Sequence, residues 1–347
     1  MSNDEKKIAD FRSDTITKPT SEMRRAMAEA VVGDDVLGDD PTVQELEHLA
    51  ADIMGKQAGL YLPSGTMGNS IAVKVWTQEL DEVIVEERSH IYNMESTAIT
   101  FISRIMPRPL VSDRGTMDPD LVEENIKIPS VHMPRTSLIC VENSHNNWSG
   151  SVLSLENVKD IRGVADRYGI HVHMDGARIF NASHATGVPV KDYASSVDSL
   201  MFCLSKGLSA PVGSMLVGPQ EFIDYGRRLR KALGGGMRQV GILAAAGLIA
   251  LQKMTERIKD DNRRAKKLAK KLAVHPGVVL DPDKVDTNIV IFDLNHPRYT
   301  IPDFLQALRE RGVWALATRG GIRFVTHREV DDASVDLADQ VFTELLS

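Results

Sequence analysis

The sequence is short of cysteine, of long hydrophobic runs and of positive charge, and each shortage excludes a class of protein. Only two cysteines occur among 347 residues, Cys140 and Cys203, and both lie in apolar strand-like runs. Such a pair indicates reduced thiols in a core rather than a disulfide or a metal site. The longest nearly apolar stretch, Val240–Leu251, has 12 residues, about half of what a membrane-spanning helix requires. We therefore expect neither a disulfide scaffold nor a membrane protein.

The balance of charge points to small-molecule ligands. The formal net charge of -7 argues against nucleic-acid binding, which requires a dominant basic surface. The first residues, MSNDEKKIADFRSD, are charged throughout and lack the apolar core of a secretory signal, which predicts a cytoplasmic protein. With 42% hydrophobic residues, the chain is long enough to form two domains.

Two amphipathic helices are predicted near the N-terminus. Thr20 is placed to cap the first helix, whose apolar residues recur at spacings of three and four until Gly33. The second has Asp40 as its N-cap and Pro41 at its first position, and Gly55 is expected to end it.

Beyond residue 80 the pattern changes to short β-rich runs separated by segments of helical length. The runs are Val83–Val85, Leu138–Val141, Ile170–Met174, Ser199–Leu204 and Ser214–Val217. Their apolarity is continuous rather than alternating, which predicts an α/β fold with a mostly parallel sheet covered by helices on both faces. In such folds the active groups lie at the carboxyl ends of the strands.

The C-terminal part has a different composition. Helical stretches continue after Gly234–Gly236 to about Leu272, and a strand follows at Ile289–Phe292. A helix from about Pro302, strands around 313–326 and a last helix from about residue 333 complete the chain. This order predicts a smaller α+β domain at 251–347, after a large domain at 1–250 that includes the N-terminal segment.

Two of the predicted strands lead into reactive residues. Asp175 directly follows Ile170–Met174, and Lys206 follows Ser199–Leu204. A lysine amine in an apolar setting is a plausible Schiff-base former, and a carboxylate beside a pyridine nitrogen keeps that nitrogen protonated, so the pair suggests an aldehyde cofactor of the pyridoxal type. The alternative is an ordinary Asp-Gly turn and a solvated lysine.

The segment LPSGTMGNS offers a third element of a site. Gly65 lets the backbone approach a ligand, Thr66 is placed to cap the following helix, and the exposed N–H groups there suit a phosphate. Small-residue turns before helices are common, however, so the segment carries weight only together with Asp175 and Lys206.

Taken together, these segments resemble the low-specificity L-threonine aldolases, which are pyridoxal-phosphate (PLP) enzymes of the aspartate-aminotransferase fold type. The resemblance covers nearly the whole chain. The matching segments are FRSDTITKPT, GDDVLGDDPTVQELE, YLPSGTMGN, the SH at 89 and 90, HMPRTSL, ENSHN, HMDGARIFNAS, FCLSKGLSAPVGS, LGGGMRQ and IRFVTH. The resemblance implies a seven-stranded sheet in the large domain. It also implies retro-aldol cleavage of L-threonine, L-allo-threonine and other β-hydroxy-α-amino acids to glycine and an aldehyde.

The resemblance assigns roles around the cofactor. It makes Lys206 the Schiff-base lysine, Asp175 the partner of the pyridine nitrogen and His90 the histidine stacked on the ring. The segments expected to bind the phosphate contain Gly65, Thr66 and Ser205. Arg238 of GGGMRQ matches an arginine that reaches the phosphate from a neighbouring subunit. This implies a homo-oligomer with shared active sites, most simply a dimer of dimers.

The same resemblance assigns the substrate end. Ser13, Arg178 and Arg323 match groups that hold the amino acid's carboxylate, for which guanidinium groups are well shaped, and Arg178 also borders the cofactor. His132 matches a histidine near the substrate hydroxyl. Either His90 or His132, directly or through a water, is a candidate base for the β-hydroxyl proton. A structural cation is left open.

Two other functions remain as alternatives. One is a different PLP-dependent activity on the same scaffold, such as β-elimination, racemisation or amino transfer. The other is a binding protein that keeps the fold without catalysis, against which the presence of Lys206, Asp175 and both arginines speaks.

Overall fold

The computed structural model describes residues 8–347, so the first seven residues of the charged N-terminal stretch lie outside the described part. The strands, in chain order, are β1 Ala9–Asp10, β2 Ala58–Leu62, β3 Glu82–Glu86, β4 Met106–Leu110, β5 Thr136–Glu142, β6 His171–Asp175, β7 Ser199–Cys203, β8 Ser214–Gly218, β9 Val278–Val279, β10 Ile289–Leu294, β11 Val313–Trp314, β12 Leu316–Thr318 and β13 Gly321–Val325.

The α-helices alternate with these strands through most of the chain. They are α1 Ser21–Glu29, α2 Pro41–Met54, α3 Gly65–Trp76, α4 His90–Asn93, α5 Ala98–Ser103, α6 Pro119–Glu124, α7 Leu155–Tyr168, α8 Ile179–Thr186, α9 Val190–Ser195, α10 Gln220–Ala232, α11 Gly241–Ile249, α12 Ile258–Leu272, α13 Ile301–Glu310 and α14 Asp332–Leu346.

The main sheet has seven strands in the order β2-β8-β7-β6-β5-β3-β4. The five strands from β7 to β4 are parallel to one another, whereas β8 runs antiparallel to both of its neighbours. Every residue of β5 is buried, and because successive side chains point to opposite faces, both faces of the sheet are covered. The predicted mostly parallel α/β sheet is confirmed.

Two strands of this sheet were not predicted. The edge strand β4 reads MPRPL and contains two prolines, which lack the N–H that a central strand needs but are tolerated at an edge. The other edge strand, β2, reads AGLYL and follows α2 after only three residues, so its short apolar run merges with the helical pattern before it.

Capping residues fix the first two helices. The Thr20 hydroxyl accepts a hydrogen bond from the Met23 amide at 3.1 Å, as predicted. Helix α1 ends at Glu29, however, so the end predicted at Gly33 is wrong. Helix α2 begins after the Asp40 cap with Pro41 and ends at Gly55, which has φ 64°, a conformation that glycine adopts without a steric penalty.

A second apolar cluster forms at the C-terminal end of the chain. A four-stranded antiparallel sheet, β12-β13-β10-β9, packs with α12, α13 and α14. The N-terminal segment joins this cluster, because β1 pairs with β11 and Phe11 is fully buried in it. Residue 250 falls in a π-helical stretch, Ala250–Met254, between α11 and α12. The domain division at residue 250 stays a prediction.

Two further expectations concern the cysteines and the length of the apolar helices. Cys140 and Cys203 are free and buried, as expected of core thiols. Within residues 8–347, no helix has both the length and the apolarity to cross a bilayer.

Candidate active site

The carboxyl ends of three neighbouring strands meet at one edge of the main sheet. Strand β5 ends at Glu142, which pairs in register with Asp175 at the end of β6, and Asp175 in turn pairs with Met201 of β7. The chain leaves β7 at Cys203, and Lys206 stands in the turn that follows. Asp175 and Lys206, predicted to form the centre of the site, therefore lie at and just beyond the carboxyl ends of adjacent strands.

Asp175 is buried, with 3% of its surface exposed. Its Oδ2 accepts a hydrogen bond from the Asn69 side-chain amide at 2.8 Å, and its Oδ1 accepts one from the Ala177 amide at 3.0 Å. Within residues 8–347, no lysine or arginine forms an ion pair with this carboxylate. A buried carboxylate that has no cationic side chain beside it suits the protonated nitrogen of a bound pyridine ring, because a buried charge requires a partner.

His90 lies beside Asp175. Its Nδ1 is 2.9 Å from Glu95 Oε1. A ring nitrogen of His90 and one carboxylate oxygen each of Glu95 and Asp175 all lie within 4.8 Å of one another. Burial works to lower the pKa of His90, but hydrogen bonding to Glu95 and the charges of Asp175 and Glu142 outweigh it and raise that pKa. Burial raises the pKa of Glu95 as well. Because Glu95 occupies Nδ1, the other ring nitrogen, Nε2, is the one that remains for a ligand.

Glu142 ties His90 to the loop after β5. One of its oxygens accepts from the His90 backbone amide and the other from the Asn146 amide, each at 2.7 Å. A strand-terminal carboxylate thus holds two loops of the site against each other.

Lys206 is half-buried. Its carbonyl oxygen accepts from the Thr17 hydroxyl at 2.8 Å and from the Ser209 amide at 2.9 Å. The bond from Thr17 attaches the turn to the N-terminal segment, and the bond from Ser209 closes the turn that follows Lys206. Ser205, also half-buried, directly precedes Lys206.

Helix α3 begins at the same edge of the sheet. Ser64 caps it, because the Ser64 hydroxyl accepts from the Met67 amide at 3.2 Å. The prediction of Thr66 as the cap is therefore wrong, and Thr66 is an exposed residue of the first turn. A Cβ built on Gly65 would lie 3.1 Å from Cys203 Sγ, so the glycine lets the helix start close to the end of β7. The N–H groups of a first turn are free of intrahelical partners and suit a phosphate.

The two arginines assigned to the substrate carboxylate differ in their partners. Arg178 forms a bidentate pair with Asp14, with both N–O distances at 2.7 Å, and both residues are buried. Burial alone would raise the pKa of Asp14, but Arg178, Lys206 and Arg323 hold it well below its usual range. Most of the Arg178 fork is thus already bound within the chain.

Arg323 has no carboxylate partner among residues 8–347. Its NH2 donates to the Asn146 side-chain oxygen at 3.1 Å, and its Nε is buried without a hydrogen bond. Burial, with the nearby charge of Arg178, lowers the pKa of Arg323 to about 10. Because a buried guanidinium without an anion is unfavourable, Arg323 is the arginine best placed to bind a substrate carboxylate.

Ser13 lies in the same region. Its hydroxyl oxygen accepts from the Thr15 amide at 3.2 Å and the Thr15 hydroxyl at 2.8 Å, which leaves its own O–H free to donate. The neighbouring Arg12 carbonyl accepts from Arg323 at 3.4 Å, so Ser13 and Arg323 border one space.

Two predicted site residues are not brought to this edge within the chain. His132 is exposed in a loop before β5, at the opposite end of that strand from Glu142. Arg238 is 56% exposed and pairs with Asp34 at 2.9 Å. Within residues 8–347, neither residue forms a hydrogen bond or an ion pair with the cluster around Lys206 and Asp175.

Four residues of the site were not predicted from the sequence: Asp14, Asn69, Glu95 and Asn146. Two had a usable signal, because Asp14 adjoins Ser13 and Asn69 lies four residues after Gly65, one turn along α3. Glu95 had none, because it reaches His90 across an irregular turn after α4.

The site fits PLP on the chemistry of its own groups. It contains a half-buried lysine, a buried carboxylate with amide donors but no cation, and a helix N-terminus opening at the same edge. Glu95 Oε2 is also buried without a hydrogen-bond partner, which marks unfilled bonding capacity at the position where the resemblance places the cofactor ring.

Comparison with known proteins supports the same reading. Residues 10–295 match the family model of the beta-eliminating lyases. The chain is 43% identical over 345 residues to low-specificity L-threonine aldolase 1 of Arabidopsis thaliana, over 97% of this chain and 96% of that protein.

Solved structures share the fold. The threonine aldolase of Leishmania major superposes with a TM-score of 0.82 at 17% identity, over 97% of this chain and 99% of that one. A structure of SPT with PLP gives a TM-score of 0.74 at 17% identity, over 97% of this chain and 86% of that one. Fold and site together define a PLP-type enzyme of fold type I in the beta-eliminating lyase family. Within that class, the chain belongs to the low-specificity L-threonine aldolase family.

Proposed function

We propose that the protein cleaves L-threonine, L-allo-threonine and other β-hydroxy-α-amino acids to glycine and an aldehyde, with PLP as cofactor. The observation that carries this proposal is the placement of Asp175 and Lys206 on adjacent strand ends beside a guanidinium, Arg323, that lacks an anion. The 43% identity to an L-threonine aldolase over nearly the whole chain supports the substrate class.

Bound PLP supplies the electron sink that accepts the electron pair released when the Cα–Cβ bond breaks. Lys206 would hold it through its amine. Asp175, fixed by Asn69 and the Ala177 amide, would keep the ring nitrogen protonated. Gly65, Thr66 and Ser205 would hold the phosphate, and His90 would contact the ring.

Arg323 and Ser13 hold the substrate carboxylate, and Arg178 completes that side of the pocket. Only a bond perpendicular to the ring plane overlaps the ring's π system, so the position of the carboxylate decides which bond at Cα is broken. Because Asp14 already accepts from Nε and NH2 of Arg178, NH1, which faces Asn146 at 3.3 Å, is the nitrogen that has no bond to a carboxylate.

His90 is the proposed base that accepts the β-hydroxyl proton. Glu95 binds its Nδ1 and so directs Nε2 towards the substrate, the arrangement that general bases use. His132 remains a second hypothesis. A loss of more than about a hundredfold in turnover for His132→Phe, at the size typical of a lost general base and with PLP still bound, would support it, whereas an unchanged rate would remove it.

We further propose a cytoplasmic homo-oligomer, a dimer of dimers, in which Arg238 reaches the phosphate of a neighbouring subunit. The exposed position of Arg238, away from its own chain's site, supports this. The two free, buried cysteines suit a reducing compartment.

The visible spectrum of the wild type beside Lys206→Ala tests the cofactor and its anchor. The wild type should show the band of a PLP imine, and the variant should show none. Lys253→Ala, which removes a lysine 54% exposed at the surface, serves as the control and should keep the band. A wild type that stays colourless after PLP is added would contradict the proposal.

A β-elimination activity is the second candidate, because the matching family model is that of the beta-eliminating lyases. The two reactions differ in their products. Aldol cleavage of L-allo-threonine gives acetaldehyde and glycine, whereas elimination gives a keto acid. We expect acetaldehyde without keto acid, and predominant keto acid would favour the second candidate.

A further inference from the structure

A line of buried polar side chains leads away from Asp175 through the core of the large domain. Asn69 Oδ1 lies 3.1 Å from His173 Nε2, His173 Nδ1 lies 2.9 Å from Ser199 Oγ, and Trp76 Nε1 lies 2.8 Å from the same oxygen. Asn69, His173 and Ser199 each have no exposed surface. The line joins α3, β6 and β7, and of these four residues the proposed chemistry uses only Asn69.

The Trp76 end of the line permits one direction for the hydrogen bonds. An indole N–H can only donate, so Ser199 Oγ accepts from Trp76. The Ser199 hydroxyl hydrogen is left free to donate to His173 Nδ1, although the second lone pair of the oxygen means that this end alone does not impose that direction.

The Asn69 end of the line sets the direction. The Asn69 amide nitrogen lies 2.8 Å from both Glu95 Oε1 and Asp175 Oδ2. The opposite amide orientation would place the Asn69 oxygen against two carboxylate oxygens, which cannot donate to it. Asn69 Oδ1 thus faces His173 Nε2 and requires a donor there. In a neutral His173 ring the proton is therefore on Nε2, and Nδ1 accepts from the Ser199 hydroxyl.

His173 also carries no charge. Burial lowers the pKa of His173 to about 4, against the opposing charge of Asp175. A neutral ring fixes the Asn69 amide without offering Asp175 a second cation, which would compete with a protonated ring nitrogen for the carboxylate.

We propose that Asn69, His173, Ser199 and Trp76 are positioning residues, whose one-directional hydrogen-bond line holds the Asp175 carboxylate where the cofactor's ring nitrogen meets it. This inference rests on the proposed function, because it takes PLP as the ligand of Asp175. The contribution of each residue should decrease with its distance from Asp175 along the line.

The rate of PLP release tests the inference independently of turnover. Each purified holoenzyme is diluted into buffer containing a PLP scavenger, and the loss of the visible band is followed. His173→Leu removes the donor to Asn69 and should release PLP at least about tenfold faster, the effect of one lost buried hydrogen bond. His173→Gln places an amide N–H near the former Nε2 and should stay within about threefold of the wild-type rate.

His171→Leu is the matched control. His171 lies on the same strand and the same face as His173 and stacks on Trp76 at 3.9 Å, but it is no member of the hydrogen-bond line. It should leave the release rate unchanged, which separates hydrogen bonding from packing against Trp76.

Ser199→Ala carries the test if His173→Leu does not fold. It removes the donor to Nδ1 together with the acceptor of the Trp76 N–H and should speed release about threefold, with Trp76→Phe having a smaller effect. The pH dependence of the bound cofactor's absorbance should shift in the same order. Equal release from His173→Leu and His173→Gln, or wild-type release from Ser199→Ala, would overturn the inference. A wild type without bound PLP would instead overturn the proposed function.

Discussion

Arg178 and Arg323 are the two arginines proposed to bind the substrate carboxylate, and one buried aspartate gives them different partners. Asp14 neutralises Arg178 through two hydrogen bonds, whereas Arg323 has only neutral oxygen acceptors within the described chain. An arriving carboxylate therefore meets one available positive charge. Asn146 Oδ1 accepts hydrogen bonds from both Arg323 and Arg178. It therefore holds the Arg323 guanidinium in the absence of substrate.

Replacement of Arg323 tests this division. We expect Arg323→Gln to raise the KM for L-allo-threonine by about 10- to 150-fold, because charge-assisted hydrogen bonds are worth roughly 1.5–3 kcal/mol. PLP binding, followed by the visible band, should not change. Arg319→Gln, on the same hairpin and exposed, is the control. A KM that is unaffected in Arg323→Gln would refute the assignment.

The pair of His90 and Glu95 predicts a pH dependence of turnover. His90 accepts a proton only when it is unprotonated, so activity falls as pH decreases through its pKa. The hydrogen bond to Glu95 and the nearby carboxylate charges raise that pKa above its ordinary value of 6.5, against the effect of burial. The acid limb of the pH profile of kcat should therefore lie above pH 6.5.

Glu95→Gln removes one of the charges that raise the pKa of His90, so its acid limb should move to lower pH. Glu87→Gln, a change at an exposed carboxylate nearby, should leave the limb in place. Superimposable pH profiles for Glu95→Gln and the wild type would exclude His90 as the group that titrates.

At the scale of elements, helix α3 combines a structural role with a proposed binding role in neighbouring residues. Ser64 completes the helix by capping it, while Gly65 and Thr66 form the first turn, which we propose to bind the phosphate. The sequence alone could not divide these roles, because serine and threonine are both good N-caps and stand two positions apart.

Single substitutions separate the two roles. Ser64→Ala should lower the free energy of unfolding of the apoenzyme by about 1 kcal/mol, the usual cost of a lost N-cap. Thr66→Ala should cost less than about 0.5 kcal/mol, as exposed substitutions usually do, yet weaken PLP binding. Chemical denaturation of the apoenzyme and PLP titration measure the two effects. The reverse pattern would restore Thr66 as the cap.

On the scale of the whole molecule, the N-terminal segment connects the two apolar clusters. Its strand β1 and Phe11 belong to the C-terminal cluster, while Asp14 binds Arg178 at the start of α8 and Thr17 binds the carbonyl of Lys206. The Asn288 side chain, next to β10, also donates to Asp14 at 3.1 Å. Asp14 is therefore a point at which both clusters and the site are held together.

Asp14→Asn should lower the free energy of unfolding by about 3–5 kcal/mol, because it leaves a buried guanidinium without its anion. Asp10→Asn, in the more exposed pair with Arg12, should cost less than about 1 kcal/mol. Thermal and urea unfolding of the apoenzymes compare the two. Similar losses in both variants would contradict a special role for Asp14.

The pH dependence of stability follows from the same pair. Because the pKa of Asp14 is depressed in the fold, its contribution is present above the unfolded aspartate value of about 3.9 and is lost as pH falls further. The wild type should thus lose thermal stability more steeply than Asp14→Asn as pH is lowered below about 4. Parallel profiles of thermal stability against pH for the wild type and Asp14→Asn would show that Asp14 contributes nothing to the loss of stability in acid.

Local features of the sequence determined a large part of this structure. The caps at Thr20 and Asp40 and the continuous apolar runs that became β3 and β5–β8 depend on neighbouring residues, so one sequence suffices to recognise them. The placement of Asp175 and Lys206 at strand ends followed from those runs and from a general property of parallel sheets.

Tertiary structure alone decided which charges are paired and which polar groups are linked. Asp14 meets Arg178 across 164 positions, and Asn69 meets Asp175 across 106. Such contacts depend on strand order and on how the N-terminal segment returns to the sheet, and no local pattern encodes either. For the same reason the sequence presented Arg178 and Arg323 as equivalent, and only the folded chain, by burying Asp14 against Arg178, left Arg323 without a carboxylate partner among residues 8–347.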